Sequence, residues 1–513
     1  MMEIYRSNHT LQRQGSKVFA IFLAVILLWT PFGNASTLSE KPQPISCTTA
    51  LSQIFPQGYE VTYQPAQNYL GTYNDTSCFK SSYPSQILPS FQAYIKSVDK
   101  TKLMVAIPKL APERRFFLES LAKLGLSYDE TGQFALVKDK ADSPPGIMES
   151  IPASGMYALA LSAAQAEHLV SKDEAIRVLR KIHNTVRNGT VMPRAYGILP
   201  HFVSWQKNKY VSLAEYSTVD TALYYHSMLL ASGILGQKDI EAELLEEIKH
   251  IDFNALTIKE GPNKGFISMG VDVDGATIYG DKVWRHWGGE SALVLLLARI
   301  AGSTPGFPVS NDPGEAGSTG NFYAGRGFIA EIQSLFYPQF NSERPDALTG
   351  QNWLKMRRQL LSDQVQCTLG NFGGSNADRL SLYGFSCGEI NGVSGSTMYW
   401  ENGIKDAKNK FIKPKPFIFP HYILMSSQAS EFPARQLHTL ELLEREGLFT
   451  PWGLVESFNV DLNEADTLKG SLNASFEALS AYHLMGRIDG RRDIIYETAL
   501  RMPLLRDSMG MFY

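Results

Sequence analysis

Four acidic residues stand at helix starts or loop ends, each beside aromatic or hydroxyl-bearing neighbours. Asp220 closes the run Glu215-Tyr216-Ser217-Thr218-Val219-Asp220, and Glu290 closes Trp284-Arg285-His286-Trp287-Gly288-Gly289-Glu290. Glu389 follows Tyr383-Gly384-Phe385-Ser386-Cys387-Gly388, and Glu456 follows Pro451-Trp452-Gly453-Leu454-Val455. Paired carboxylates beside flat aromatics suit cleavage of a glycosidic bond. One protonated acid gives its proton to the leaving oxygen while an ionised partner activates water or attacks the sugar. Burial next to an indole would raise the pKa of one acid and keep its proton at neutral pH. Trp205, Trp284, Trp287, Trp400 and Trp452, five of the seven tryptophans, fall in connections and offer faces on which sugar rings stack.

Each acid also has a plain structural reading. Ser217-x-x-Asp220 is a capping-box pattern, Glu290 could complement the positive end of a helix dipole, and tryptophans pack in cores by default. Other chemistries find no motif. No G-x-S-x-G elbow is present, since Gly392-Val393-Ser394-Gly395 has the wrong spacing, and H-E-x-x-H is absent. Asp272-Val273-Asp274-Gly275 begins like a calcium loop but lacks the later ligand positions and reads as a hairpin turn. Gly325-Arg326-Gly327 completes neither a Walker loop nor a dinucleotide fingerprint. No metal and no cofactor is expected.

The elements that must position these residues are mostly helices. Pro112 starts one with Phe116, Phe117, Leu121 and Leu124 on a face, and Ser171-Lys-Asp-Glu174 is a capping box opening another. Further helices are expected at 154–169, 218–232, 239–250, 290–301, 353–367, 433–446, 473–486 and 490–501. Strand signals are short. Phe266–Gly270 and Ala276–Tyr279 read as a hairpin, and 302–325 reads as a long loop of the kind that often carries function.

The chain has 513 residues, 44% hydrophobic and 19% charged, with net charge −3. That is globular composition, and the balanced charge argues against nucleic acid as a partner. Arg6, Arg13 and Lys17 precede the uncharged run Val18–Trp29, which suits a signal peptide and is short for a membrane span. Cleavage is expected after Ala35, leaving no stable span and placing the protein in the periplasm or outside the cell. The segment 36–104, rich in Ser, Pro, Gln and Tyr, reads as an N-terminal extension to a main domain at 105–513. Cys47, Cys78, Cys367 and Cys387 suggest two disulfides, 47–78 and 367–387 being the most local pairing.

The order of motifs carries a resemblance. Gly197-Ile-Leu-Pro200-His201-Phe202, then Glu215-Tyr-Ser-Thr-Val-Asp220-Thr-Ala-Leu223, then Trp287-Gly-Gly-Glu290, and later Tyr383-Gly-Phe-Ser and Leu448-Phe-Thr-Pro-Trp452-Gly-Leu-Val-Glu456-Ser-Phe-Asn459, resemble the glycoamylase-like family that includes bacterial endo-β-1,2-glucanases. The resemblance implies an all-α fold, an (α/α)6 barrel with the N-terminal extension and short β-hairpin insertions. It implies endo-hydrolysis of a bacterial β-glucan, most specifically β-1,2-glucan, by an inverting pair of carboxylates. Glu290 matches the family's acid and Asp220 its essential Asp, as base or substrate-orienting group, with Glu389 as a rival base. Glu215, His201, Trp205, Tyr216, Trp284, His286, Trp287, Tyr383, Trp452 and Glu456 would line the substrate groove. Two other readings stand beside this one. A non-catalytic glucan-binding protein could use the same scaffold, and a polysaccharide lyase would need a Tyr/His pair and a basic subsite, for which Tyr279, Arg285 and His286 are the local candidates.

Overall fold

The structure, a computed structural model, describes residues 112–131, 134–141, 143–285, 289–303, 326–347, 350–391, 397–405, 410–450, 453–466, 470–510 and 512–513. The segments 1–35 and 36–104, Cys47, Cys78, His286, Trp287, Trp452 and most of the 302–325 loop lie outside the described residues.

Helices dominate: α1 (Pro112–Ser127), α2 (Ile151–Ala166), α3 (Lys172–Arg187), α4 (Thr218–Leu235), α5 (Lys238–Lys249), α6 (Gly289–Ile300), α7 (Gly327–Glu331), α8 (Trp353–Asn371), α9 (Pro420–Met425), α10 (Pro433–Arg445), α11 (Ser471–Asp489), α12 (Ile494–Arg501) and α13 (Pro503–Met509). Each expected helix is present within a few residues of its expected ends. α7, α9 and α13 are additional and short, the first two continued by 3-10 turns at Ile332–Leu335 and Ser426–Gln428.

The helices divide into two kinds. In α2 every residue from Ile151 to Ala164 is buried, and α4 is buried through nearly all of its length. A helix apolar all round must be enclosed by others. In α3, by contrast, burial is confined to Ala175, Val178, Leu179, Ile182, His183, Thr185 and Val186, the stripe of a helix with one face on solvent. The enclosed helices pack in sequence: α2 on α4, α4 on α6, α6 on α7, α7 on α9, α9 on α11, and α11 back on α2. The others lie outside them, α1 on α11, α3 on α2 and α4, α5 on α4, α8 on α7, α10 on α9 and α11. One contact in this circuit requires a glycine, because a Cβ on Gly327 would stand 2.3 Å from the ring of Tyr422.

The strands exceed what the sequence suggested. β1 (Tyr128–Thr131), β2 (Phe134–Lys138), β3 (Glu149–Ser150), β4 (Phe202–Gln206) and β5 (Lys209–Ser212) form one antiparallel sheet in that order. β6 (Tyr216–Ser217) pairs with β7 (Gly270–Val271), and β8 (Cys387–Asn391) with β9 (Thr397–Glu401). The expected 266–279 hairpin is reduced to a turn at 272–275 closed by a Val271–Ile278 bridge. Its two aspartates serve the turn itself, Asp274 accepting from the N–H groups of Ala276 and Thr277.

The expected 367–387 disulfide is not formed. Cys367 and Cys387 are separate buried thiols, one on α8 with Asn371 Nδ2 against its sulfur and the other at the start of β8. Among the described residues no helix is long and apolar enough to cross a membrane.

Candidate active site

The expected acids gather where enclosed helices begin. Ser217 caps α4, its Oγ accepting from the Asp220 N–H, so the capping pattern is real. The same geometry holds the Asp220 carboxyl in the first turn. There it is buried, and its pKa is raised by burial against the pull of His201. β6 leads into this cap. Its partner position must be glycine, since a Cβ on Gly270 would meet the Tyr216 carbonyl oxygen at 2.3 Å.

His201 sits between two acids. Its Nδ1 is 3.4 Å from Glu215 Oε1 and 3.7 Å from Asp220 Oδ2, and its ring stacks on Phe202 with centroids 3.7 Å apart. Burial opposes a charge on the imidazole, yet Asp220 and Glu215 outweigh it and hold His201 up to about 9. Glu215 is held below the usual carboxylate range because the hydrogen bond and charge of His201 overcome its burial. Ligand atoms of His201, Glu215 and Asp220 lie within 4.8 Å of one another, close enough to enclose a cation. A protonated imidazole has no lone pair for a metal and a neutral one does, so the charge of His201 decides whether the three groups act as an ion cluster or as ligands.

Glu290 lies in the first turn of α6, packed on α4, and is buried. Burial and the nearby Asp220 charge push its pKa up to about 8. The loop leading to it is fastened to the start of α4. Trp284 donates its indole N–H to Thr218 Oγ1 at 2.8 Å, and Thr218 in turn bonds the Met269 carbonyl at 2.9 Å. Arg285 bonds Asn263.

A second acidic group gathers around Glu456 and Glu389. Glu456 is buried, accepts from Asn473 Nδ2 and from the Glu389 N–H at 3.3 Å, and is pushed by burial up to about 8. Lys140 Nζ lies 2.9 Å from Glu389 Oε1. Asp139 is half-buried, its pKa raised by desolvation and drawn down by Lys140 and His201. Lys123 is buried with Glu477 at 2.9 Å.

Other expected groove residues are turned into the protein. Trp284 is 6% exposed and hydrogen-bonded inward, and Tyr383 is 5% exposed with its hydroxyl on Ser426 and Gln436. Tyr216 is buried beneath the 272–277 turn. Trp205 packs between Phe134 and Tyr210 in the five-stranded sheet. Asp139, Lys140, Arg326, Glu401 and Asn473 were not singled out from the sequence and belong to this cluster. Lys140 has no periodicity or motif around it to mark it, and Arg326 stood only in an incomplete glycine motif.

No protein-family model matches this chain, and no curated protein matches it in sequence. Solved structures do. A candidate glucoamylase from Bacteroides uniformis ATCC 8492 superposes with TM-score 0.59 at 12% identity over 78% of this chain and 97% of its own. An endo-β-1,2-glucanase from Chitinophaga pinensis, solved with sophorotriose and glucose, gives 0.56 at 11% identity over 78% of this chain and 98% of its own. A β-1,2-glucanase from Parabacteroides distasonis gives 0.53 at 14% identity, the match covering 78% of this chain and 60% of that one. The fold is thus the helical fold of glucoamylase-like proteins. Endo-β-1,2-glucanases are among its structural neighbours, in line with the resemblance carried by the sequence motifs.

Proposed function

We propose that this protein is a glycoside hydrolase acting on a neutral bacterial glucan, β-1,2-glucan above all, by endo cleavage with inversion. The observation that carries this reading is a buried Glu290 in the first turn of α6, packed on α4, whose own first turn holds the buried Asp220 grouped with His201 and Glu215. In the reaction Glu290 donates its proton to the leaving oxygen. Asp220, with His201 compensating its charge, activates the attacking water or orients the sugar hydroxyl that relays its proton. Glu389 is the alternative base. The enclosed helices are proposed to form the inner ring of an (α/α)6 barrel, with the site at the end where α2, α4, α6 and α11 begin.

The charge of the cluster supports a neutral substrate. With Glu290 and Glu456 holding their protons, Glu215, Asp220, Glu389 and Glu401 still outnumber Lys140, His201 and Arg326, so the cluster offers no excess of positive charge to a polymer of uronic acids, as a lyase would need. Sophorotriose and glucose in the Chitinophaga neighbour support the β-1,2 linkage. Export through cleavage after Ala35, with residence in the periplasm or outside the cell, is part of the same proposal, as is a main domain from residue 105. The test is incubation of the purified protein with linear β-1,2-glucan, β-1,3-glucan and starch, alongside Glu290→Gln and Asp220→Asn. Chain-length analysis reads endo action and proton NMR reads the anomer released. Hydrolysis of none of these glucans, or full turnover in both variants, would overturn the reading.

A further inference from the structure

β8 and β9 bring an aromatic ring to a charge pair outside the Glu290–Asp220 couple. Tyr399 stands directly opposite Glu389 in the antiparallel ladder, so the two side chains share one face, with Cβ atoms about 4.5–5.5 Å apart. The other face is turned into the protein. Ile390 is 2% exposed, and a Cβ on Gly388 would stand 2.8 Å from the Phe419 ring and 3.0 Å from Glu456 Oε1. Glu389 and Tyr399 are half-buried, so solvent reaches both. A hydrogen bond with the Cys387 thiol, two residues from Glu389 on the same face, holds the tyrosine ring against the ladder. Lys140 completes the group. Its Nζ lies 2.9 Å from Glu389 Oε1, the side chains being 25% and 16% exposed, and its backbone is fixed by the bridge to Gly470. The Lys140 segment follows β2, which is joined through β3 to β4, the strand after His201: Lys138 pairs with Glu149 and Glu149 with Val203. Two strand spacings, about 10 Å, therefore separate the two segments across the sheet.

An ammonium has three N–H donors and a carboxylate two accepting oxygens, so a single bond between them leaves capacity on both. A sugar hydroxyl both donates and accepts, and the C–H face of a pyranose packs on an aromatic ring. The ion pair is neutral as a whole and asks for no charge on its ligand. We propose that Tyr399, Glu389 and Lys140 form a sugar-binding subsite neighbouring the Glu290–Asp220 site. One neutral pyranose unit lies on the Tyr399 ring, its hydroxyls shared between the Glu389 carboxylate and the Lys140 ammonium. This subsite deepens the glucan-hydrolase reading and rests on it, and it gives Glu389 to binding, leaving Asp220 as the base. A plain fastening of β8 to the end of β2 would affect melting and not substrate affinity, which separates the two roles.

The experiment uses the full chain and β-1,2-linked glucose oligosaccharides. Steady-state kinetics is run on Tyr399→Ala, Tyr399→Phe, Lys140→Met and Glu389→Gln, and calorimetry measures oligosaccharide binding to the same variants in a Glu290→Gln background. Tyr399→Ala raises KM about fivefold with kcat little changed, while Tyr399→Phe, which keeps the ring, stays within about twofold of the wild type. Lys140→Met raises KM about tenfold, and Glu389→Gln raises KM while leaving the acidic limb of kcat/KM in place. Glucan cleavage with KM unchanged in both Tyr399→Ala and Lys140→Met overturns the inference and leaves the hydrolase reading standing. A kcat lowered about 10²-fold or more in Glu389→Gln at unchanged KM also overturns it, since Glu389 would then be the base. If Lys140→Met does not fold, the contrast between Tyr399→Ala and Tyr399→Phe decides. In a protein that cleaves no glucan, oligosaccharide binding weakened by Tyr399→Ala and kept by Tyr399→Phe sustains the subsite while removing the hydrolase reading, and no binding at all overturns both.

Discussion

Asp220 and Glu290 open adjacent enclosed helices, α4 and α6, each in the first turn with its carboxyl buried, and the Asp220 charge helps hold the proton on Glu290. Burial raises both carboxyls, but Asp220 has a cation, His201, beside it that draws its pKa down, whereas at Glu290 the Asp220 charge adds to the burial.

Replacing Glu290 by Gln keeps the shape and removes the transferable proton. We expect kcat on β-1,2-glucan to fall about 10²–10⁴-fold with KM little changed. Steady-state kinetics on the purified variant checks this, and a kcat within twofold of the wild type would take Glu290 out of the mechanism.

His201→Gln removes the cation that both Glu215 and Asp220 depend on. The His201 charge lowers the pKa of each acid, so its loss raises both, and the base becomes ionised only at higher pH. The acidic limb of the kcat/KM profile is expected to move up by roughly one pH unit. A limb that stays in place or moves down contradicts the triad.

Glu456 makes a stability prediction. Its folded pKa, about 8, lies above the ordinary 4.5, so the folded state holds a proton that the unfolded chain releases between these values. Wild-type stability from this group is therefore intact below about pH 4.5 and lost as pH rises through 8. Gln cannot ionise but still accepts from Asn473 and the Glu389 N–H. The melting temperature of Glu456→Gln relative to wild type should climb between these pH values and level off above, by an amount worth a few kcal/mol. A constant difference across the range would show that Glu456 is ionised in the folded protein.

Gly327→Ala drives a methyl group into the ring of Tyr422 where α7 meets α9. Overpacking of this kind costs about 1–3 kcal/mol. Thermal unfolding should register the loss as a lower midpoint, and an unchanged midpoint would mean that the two helices do not approach as described.

The long periodic helices and the Glu215–Asp220 string were legible because they are local: a cap, a stripe and a spacing within one turn. Glu290 was legible as an acid at a helix start. α7 and α9 were not, since five or six helical residues followed by a 3-10 turn leave no window in which a 3.6-residue period repeats. Trp284 and Tyr383 read as groove aromatics because a sequence does not reveal which way a polar tip points, and here Thr218, Ser426 and Gln436 satisfy those tips from inside. Lys140, Arg326 and Glu401 reach the site through contacts between segments far apart in the chain, which no spacing rule encodes. The 367–387 pairing failed for the converse reason: closeness in sequence placed the two cysteines on different elements, each buried in its own surroundings.

The start of α11 is stitched to the end of β2. Lys140 bridges Gly470, the Ser471 N–H donates to the Asp139 carbonyl at 2.8 Å, and the Ser471 hydroxyl reaches the Lys138 carbonyl at 2.6 Å. Early and late parts of the polypeptide therefore meet at the seam that carries Lys140, Glu389 and Glu456. A nascent chain that has not yet released Ser471 from the ribosome already holds Asp220 and Glu290 but not the contacts that fix Lys140, Glu389 and Glu456 beside one another.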